Sequence, residues 1–223
     1  AESAGPDRTG VERRLERVKE LFDNDMYAAA REEIVTVMSE CSLSEEDESA
    51  LASYAIICSI RLGSPNLDAL MDGYESEYRY APEYMGVRLM YAGYYFDKED
   101  YAAAFQILET VDYSLLSKKD KEQYLYQRSF CQLTQGRLED AGTGFSRILK
   151  GRNTKYTVPS TYYMGYLAYL NKDFRRAVEW FSKISNDGHF GVYCAYYTLE
   201  SELMLENYEY VVEHGPTVSD AVG

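Results

Sequence analysis

Apolar residues return at three- and four-residue spacing along most of the chain, and short polar breaks interrupt them at regular intervals. This is the periodicity of amphipathic helices, not the two-residue alternation of strands. Residues 162–184, YYMGYLAYLNKDFRRAVEWFSKI, show one full cycle: an aromatic-rich helical segment, the break NKD, then a second helical segment. The second half of the cycle recurs six times, as MYAAAREEI, NLDALMDGY, DYAAAFQIL, RLEDAGTGF, DFRRAVEWF and NYEYVVEHG. Each copy has an aromatic residue or leucine at a first anchor: Tyr27, Leu67, Tyr101, Leu138, Phe174 and Tyr208. Three residues later comes a small or aliphatic second anchor: Ala30, Leu70, Ala104, Ala141, Ala177 and Val211. The first anchors lie 40, 34, 37, 36 and 34 residues apart. A period of that length signals a stack of supersecondary units.

The preceding helical segments carry their own small residues at Cys58, Ala92, Ser129 and Gly165. The unit is therefore read as two antiparallel helices joined by a short polar turn. Helix backbones approach closely only where the crossing residues are small, so Gly165 and Ala177 are expected on the two sides of one crossing, with Phe181 beside it. Ser44 with Asp47 and Ser117 with Asp120 read as helix-capping boxes. Pro82 and Pro159 suit first turns, where a missing N–H costs nothing. The acidic run SEEDES at 44–49 reads as a solvated helix start favoured by the macrodipole. Residues 1–10 are expected to be a disordered lead-in.

These segments resemble the tetratricopeptide repeat (TPR) family from about Val11 to Glu213. The resemblance implies an all-α fold: a right-handed superhelical solenoid of about six antiparallel helix pairs. The repeats fall at approximately 11–43, 44–82, 83–116, 117–156, 157–190 and 191–214. Leu70 stands where the family has alanine, and Leu199 and Gly215 replace a small residue and an aromatic in the sixth repeat. The stretch from Val158 to Val212 is similar to the Tyr-rich TPR segments of large cell-envelope proteins of Bacteroidetes. That similarity implies a periplasmic or cell-envelope location, with the cytoplasm as the alternative that four unpaired cysteines also fit. It further implies that residues 215–223, beginning at Gly215 and Pro216, are a truncation point of a longer solenoid without a polar capping helix.

Composition narrows the function. With 23 Lys and Arg against 37 Asp and Glu, the formal charge is −14, which opposes nucleic-acid phosphates and anionic lipid. The longest apolar run, YAIICSI at 54–60, is too short for membrane insertion. Cys41, Cys58, Cys131 and Cys194 form no CxxC pair, so no metal is expected and the thiols read as small buried residues. His189 and His214 lack partners at catalytic spacing, and no phosphate-binding or cofactor motif occurs. The sequence therefore reads as a non-enzyme without cofactors.

What remains is surface. Tyrosine is abundant, with 23 copies against one tryptophan, and its apolar body with a polar tip suits binding grooves. The family resemblance implies that the first helix of each repeat lines a concave face. By register this places Leu89, Phe96, Tyr126, Phe130, Tyr162, Tyr166, Tyr169, Tyr193 and Tyr196 there. Residues 162, 166 and 169 share one helix face by spacing alone. The expected function is a protein–protein interaction scaffold holding a peptide or protein segment in this aromatic groove. The alternatives are a structural, self-assembling solenoid segment and a regulatory module of a longer protein. The bland reading of the same aromatics is packing between neighbouring helices.

Overall fold

The computed structural model describes residues 8–222, which form twelve α-helices and one 3₁₀ turn at Tyr113–Leu115. The chain divides into two compact units, with the boundary in the sequence between Ser117 and Lys118. In the first unit, α1 (Arg8–Asp23) pairs with α2 (Tyr27–Glu40), α3 (Glu45–Arg61) with α4 (Leu67–Tyr78), and α5 (Tyr84–Asp97) with α6 (Tyr101–Leu108). In the second unit, α7 (Lys118–Thr134) pairs with α8 (Leu138–Leu149), α9 (Thr157–Leu170) with α10 (Phe174–Ser182), and α11 (Gly191–Met204) with α12 (Tyr208–Val222). The chain is thus all-α, built from successive helix pairs. The lead-in expected at 1–10 lies mostly outside the described residues, and α1 already begins at Arg8.

Every first anchor is the opening residue of the second helix of its pair. In five of the six pairs the turn before it is built the same way. In the third pair, the Glu99 amide donates to the Phe96 carbonyl at 2.9 Å and the Asp100 amide to the Tyr95 carbonyl at 3.0 Å. This double bond pattern closes a helix through one left-handed residue. Asp25, Glu99, Gly136, Lys172 and Glu206 take that conformation, each two residues before an anchor. Only one of the five is glycine, although a left-handed L-residue costs roughly 1–2 kcal/mol. The next residue then serves the following helix. Asp100 accepts from the Ala103 amide at 3.0 Å and Asp173 from the Arg176 amide at 3.2 Å.

The second pair departs from the others. Its left-handed closure is at Gly63, with the Ser64 amide bonded to the Ser59 carbonyl at 3.0 Å. Pro65 and a second left-handed residue, Asn66, then intervene before Leu67. With that insertion α4 buries Leu67, Met71 and Tyr74, and the expected small-residue anchor Leu70 is 45% exposed. The other alanine anchors, Ala30, Ala104, Ala141 and Ala177, are fully buried.

Ala177 is buried, and Phe181 packs directly against Gly165: an added Cβ there would lie 2.6 Å from the Phe181 ring. Two further expectations need adjusting. Pro82 sits in the turn before α5, whereas Pro159 does lie in the first turn of α9. The helix of the sixth repeat does not stop at Gly215 and Pro216 but runs through them to Val222. Proline inside a helix removes one hydrogen bond. Val218, two residues beyond it, is buried.

The cores are local to neighbouring pairs. Val18, Ile34, Val37 and Leu51 form one cluster, and Ile56, Met71, Tyr74 and Val87 belong to another. In the second unit, Ala141, Phe145, Ile148 and Leu167 pack together, and Ala168, Ala177, Phe181 and Cys194 form the next cluster. The Ser44 hydroxyl accepts from the Asp47 amide at 3.1 Å and so caps α3, while the Asp47 carboxylate accepts from that hydroxyl at 2.6 Å and not from the Ser44 amide of a full capping box.

Candidate partner-binding surface

The nine aromatic and apolar positions expected to line a groove fall in both units. In the first unit Leu89 is completely buried, so it belongs to the core and offers no surface. Phe96, at the end of α5, is half-buried and meets Tyr101 edge-on at 5.3 Å.

The other seven lie in the second unit, on α7, α9 and α11. Tyr126 is half-buried, with Phe145 at 6.1 Å and Tyr156 at 5.2 Å between ring centres. Phe130 meets Tyr163 at 5.2 Å. Tyr162 lies 4.9 Å from Phe190 and 5.8 Å from Phe181. Burial among these rings, with lesser contributions from neighbouring phenols, raises its hydroxyl pKa well above the ordinary value. Tyr166 lies parallel to Tyr162, with an interplanar angle of 5°, and meets Tyr197 edge-on at 5.3 Å. Tyr169 meets the same Tyr197 at 5.0 Å. Five of the seven are therefore packing residues with partly accessible faces. Tyr193 and Tyr196 differ, at 51% and 40% exposed.

Two rings outside the expected set organise the others. Tyr163 touches Phe130, Phe145 and Tyr162, and Tyr197 touches Tyr162, Tyr166, Tyr169 and Phe181. Both sit one residue beyond an expected position, Tyr162 or Tyr196, and so point about a quarter-turn further round the helix. The sequence signal was present, since Tyr197 follows Tyr193 by four. Beside the exposed pair lies a cleft of about 490 Å³, lined by His189, Val192, Tyr193, Tyr196, Tyr197 and Ala221 among others.

The ring of His189 stands edge-on to Phe190 at 4.8 Å, and His214 stacks on Tyr210 at 4.0 Å. Burial pushes the Cys58 and Cys194 thiols up to about 11 and that of Cys131 up to about 12, so all three stay protonated at neutral pH. Among the described residues, no group of three His, Cys, Asp or Glu side chains is placed to hold a metal ion. No helix among them is long and apolar enough to cross a membrane.

No protein-family model matches the sequence, and no curated protein matches it. Solved structures do match in fold. PilF of Pseudomonas aeruginosa superposes with a TM-score of 0.63 at 12% identity, over 95% of this chain and 91% of its own. A tetratricopeptide repeat protein of Parabacteroides merdae gives 0.62 at 14% identity, over 95% and 80%. The apo form of RapI gives 0.61 at 15% identity, over 92% and 63%. The fold is that of TPR proteins.

Proposed function

We propose that the chain is a non-enzymatic interaction scaffold that holds a peptide or protein segment against the aromatic first-helix face of its second unit. The observation that carries this is the exposure of Tyr193 and Tyr196, two large rings in the wall of a cleft and backed by packed aromatics. Rigid aromatic anchors with hydroxyl tips are typical binding hot spots. Tyr126, Phe130, Tyr162, Tyr166 and Tyr169 form the supporting layer, and each lends a partial face. Phe96 extends the same kind of surface in the first unit. Leu89 is not part of the proposal.

A photo-crosslinking residue at position 196 tests the reading, with the same residue at Glu179, exposed on α10, as the control. We expect a discrete adduct from position 196, identified by mass spectrometry and absent from position 179. Equal capture at both positions, or none at either, would sink it. The location we attach to this reading is the periplasm or cell envelope, which fractionation of source cells checks directly.

A self-assembling solenoid segment is the second reading. It is favoured by Leu203, Met204, Tyr208 and Val212, which leave the last helix pair 44%, 59%, 60% and 77% exposed at those positions.

A further inference from the structure

No acidic residue stands between Asp140 and Asp173, although the chain holds 37 of them. That stretch carries Arg147, Lys150, Arg152, Lys155 and Lys172 instead. The first four fall within nine residues, which run from the last turn of α8 through the loop before α9. All four are exposed. The loop lies against the start of α7, because a Cβ built on Gly151 would stand 3.9 Å from the Glu122 carboxylate. Lys118, Lys119 and Lys121 occupy the turn of α7 that leads into Glu122. Residues 118–122 and 147–155 thus bring seven cations to one end of the second unit, against two acids, Asp120 and Glu122. In a stack where each pair touches only its neighbours, a pair added at either end of the chain would leave this surface open.

The loop itself supplies no carboxylate. Before α11 the chain uses one, with Asp187 accepting from the His189 and Phe190 amides at 2.9 and 2.8 Å. Before α9 threonine hydroxyls take that part. The Thr154 amide donates to Thr157 Oγ1 at 2.9 Å and the Tyr156 amide to Thr154 Oγ1 at 3.3 Å. Arg147 and Lys150 also line a shallow hollow of about 630 Å³ on α8, together with Gly142, Thr143, Ser146 and Glu139.

The extent of the charge decides the class of ligand. A nucleic-acid backbone or an anionic lipid surface presents negative charge well beyond such a patch. It would meet the remaining acids of a chain whose formal charge is −14 and be repelled there. A short acidic stretch of protein can end where the cations end, and arginine takes a carboxylate with two parallel hydrogen bonds.

We propose that the basic end of the second unit, formed by the α8–α9 loop and the first turn of α7, docks a short acidic segment of a partner protein. This surface is made of a loop and helix ends, and the proposal stands whether or not the aromatic face holds a partner.

The test uses the full chain and two fluorescent peptides, read by anisotropy. One alternates glutamate with serine, and the other has glutamine in place of glutamate. The glutamate peptide should bind and the glutamine peptide should not. Lys150→Glu/Arg152→Glu should weaken the glutamate peptide about tenfold, as reversed charges at an interface do. Lys118→Glu/Lys119→Glu should weaken it as well, and salt of about 0.5 M should abolish binding. Arg175→Glu/Arg176→Glu makes the same change of net charge at exposed positions on α10 and should have little effect. Circular dichroism checks that each variant keeps its helix content. An equal loss in the α10 variant would reduce the effect to net charge and overturn the proposal. So would a glutamate peptide that does not bind, or one whose binding survives both reversals at the patch. An oligonucleotide or an anionic phospholipid vesicle that binds more tightly, and is lost in Lys150→Glu/Arg152→Glu, would make phosphate the ligand and overturn it too. Self-association of the chain abolished by that variant would put the acidic first unit of a second copy there instead, and would equally overturn it.

Discussion

Asp68 shows how much a single side chain does between helices. On α4, it accepts hydroxyl hydrogen bonds from Tyr91 and Tyr95 of α5, each at 2.6 Å. The Tyr91 bond, then the Tyr95 bond, holds its carboxyl below the ordinary value of 3.8. A carboxyl depressed in the folded state contributes stability that is fully present above its unfolded pKa and is lost as pH falls through the folded one. In a Tyr91→Phe/Tyr95→Phe variant, the Asp68 pKa read by carbon NMR should rise toward 3.8, and its share of acid-side stability should vanish. An unchanged titration would mean the two phenols do not bond the carboxylate in solution.

At the scale of elements, turns and crossings carry the specificity. One residue both closes a first helix and caps the second, as Asp100 and Asp173 do. The crossings are filled by unequal partners. An added Cβ at Gly144 would come within 1.8 Å of the Ser129 hydroxyl, and one at Gly165 within 2.6 Å of the Phe181 ring. Gly165→Ala should therefore destabilise the chain by about 1–3 kcal/mol, as overpacking does. In Gly165→Ala/Phe181→Leu the two costs should fall short of their sum, because the smaller side chain vacates the space the methyl needs. Urea denaturation of the four proteins measures this, and strict additivity would show that the ring is not what the methyl meets.

For the whole molecule, charge is divided as sharply as structure. Residues 1–117 hold 10 of the 23 basic and 24 of the 37 acidic residues, while residues 118–223 hold 13 of each. The entire −14 thus resides in the first unit, where like charges repel across distances that salt screens. Raising ionic strength should slow hydrogen exchange in α3 to α5 more than in α7 to α10, as followed by mass spectrometry. Equal responses would mean that local ion pairs, such as Arg14 with Glu40 at 2.8 Å, already neutralise the field.

The helical period, the six anchors and the polar turns were legible in the sequence, because a repeated unit imposes the same local requirements each time. Tyr27, Tyr101 and Phe174 open helices for a reason that each copy states again. The sequence alone could not place Leu70, since an insertion of two residues after Ser64 changes which face of α4 is buried without breaking the helical period. Nor could it separate Tyr162 from Tyr196. Both are tyrosines on the same face of equivalent helices, and one is covered by Phe190 and Tyr197 while the other is exposed. Periodicity assigns a residue to a face, but accessibility depends on which helix comes next to lie against it, and that is settled only by tertiary packing.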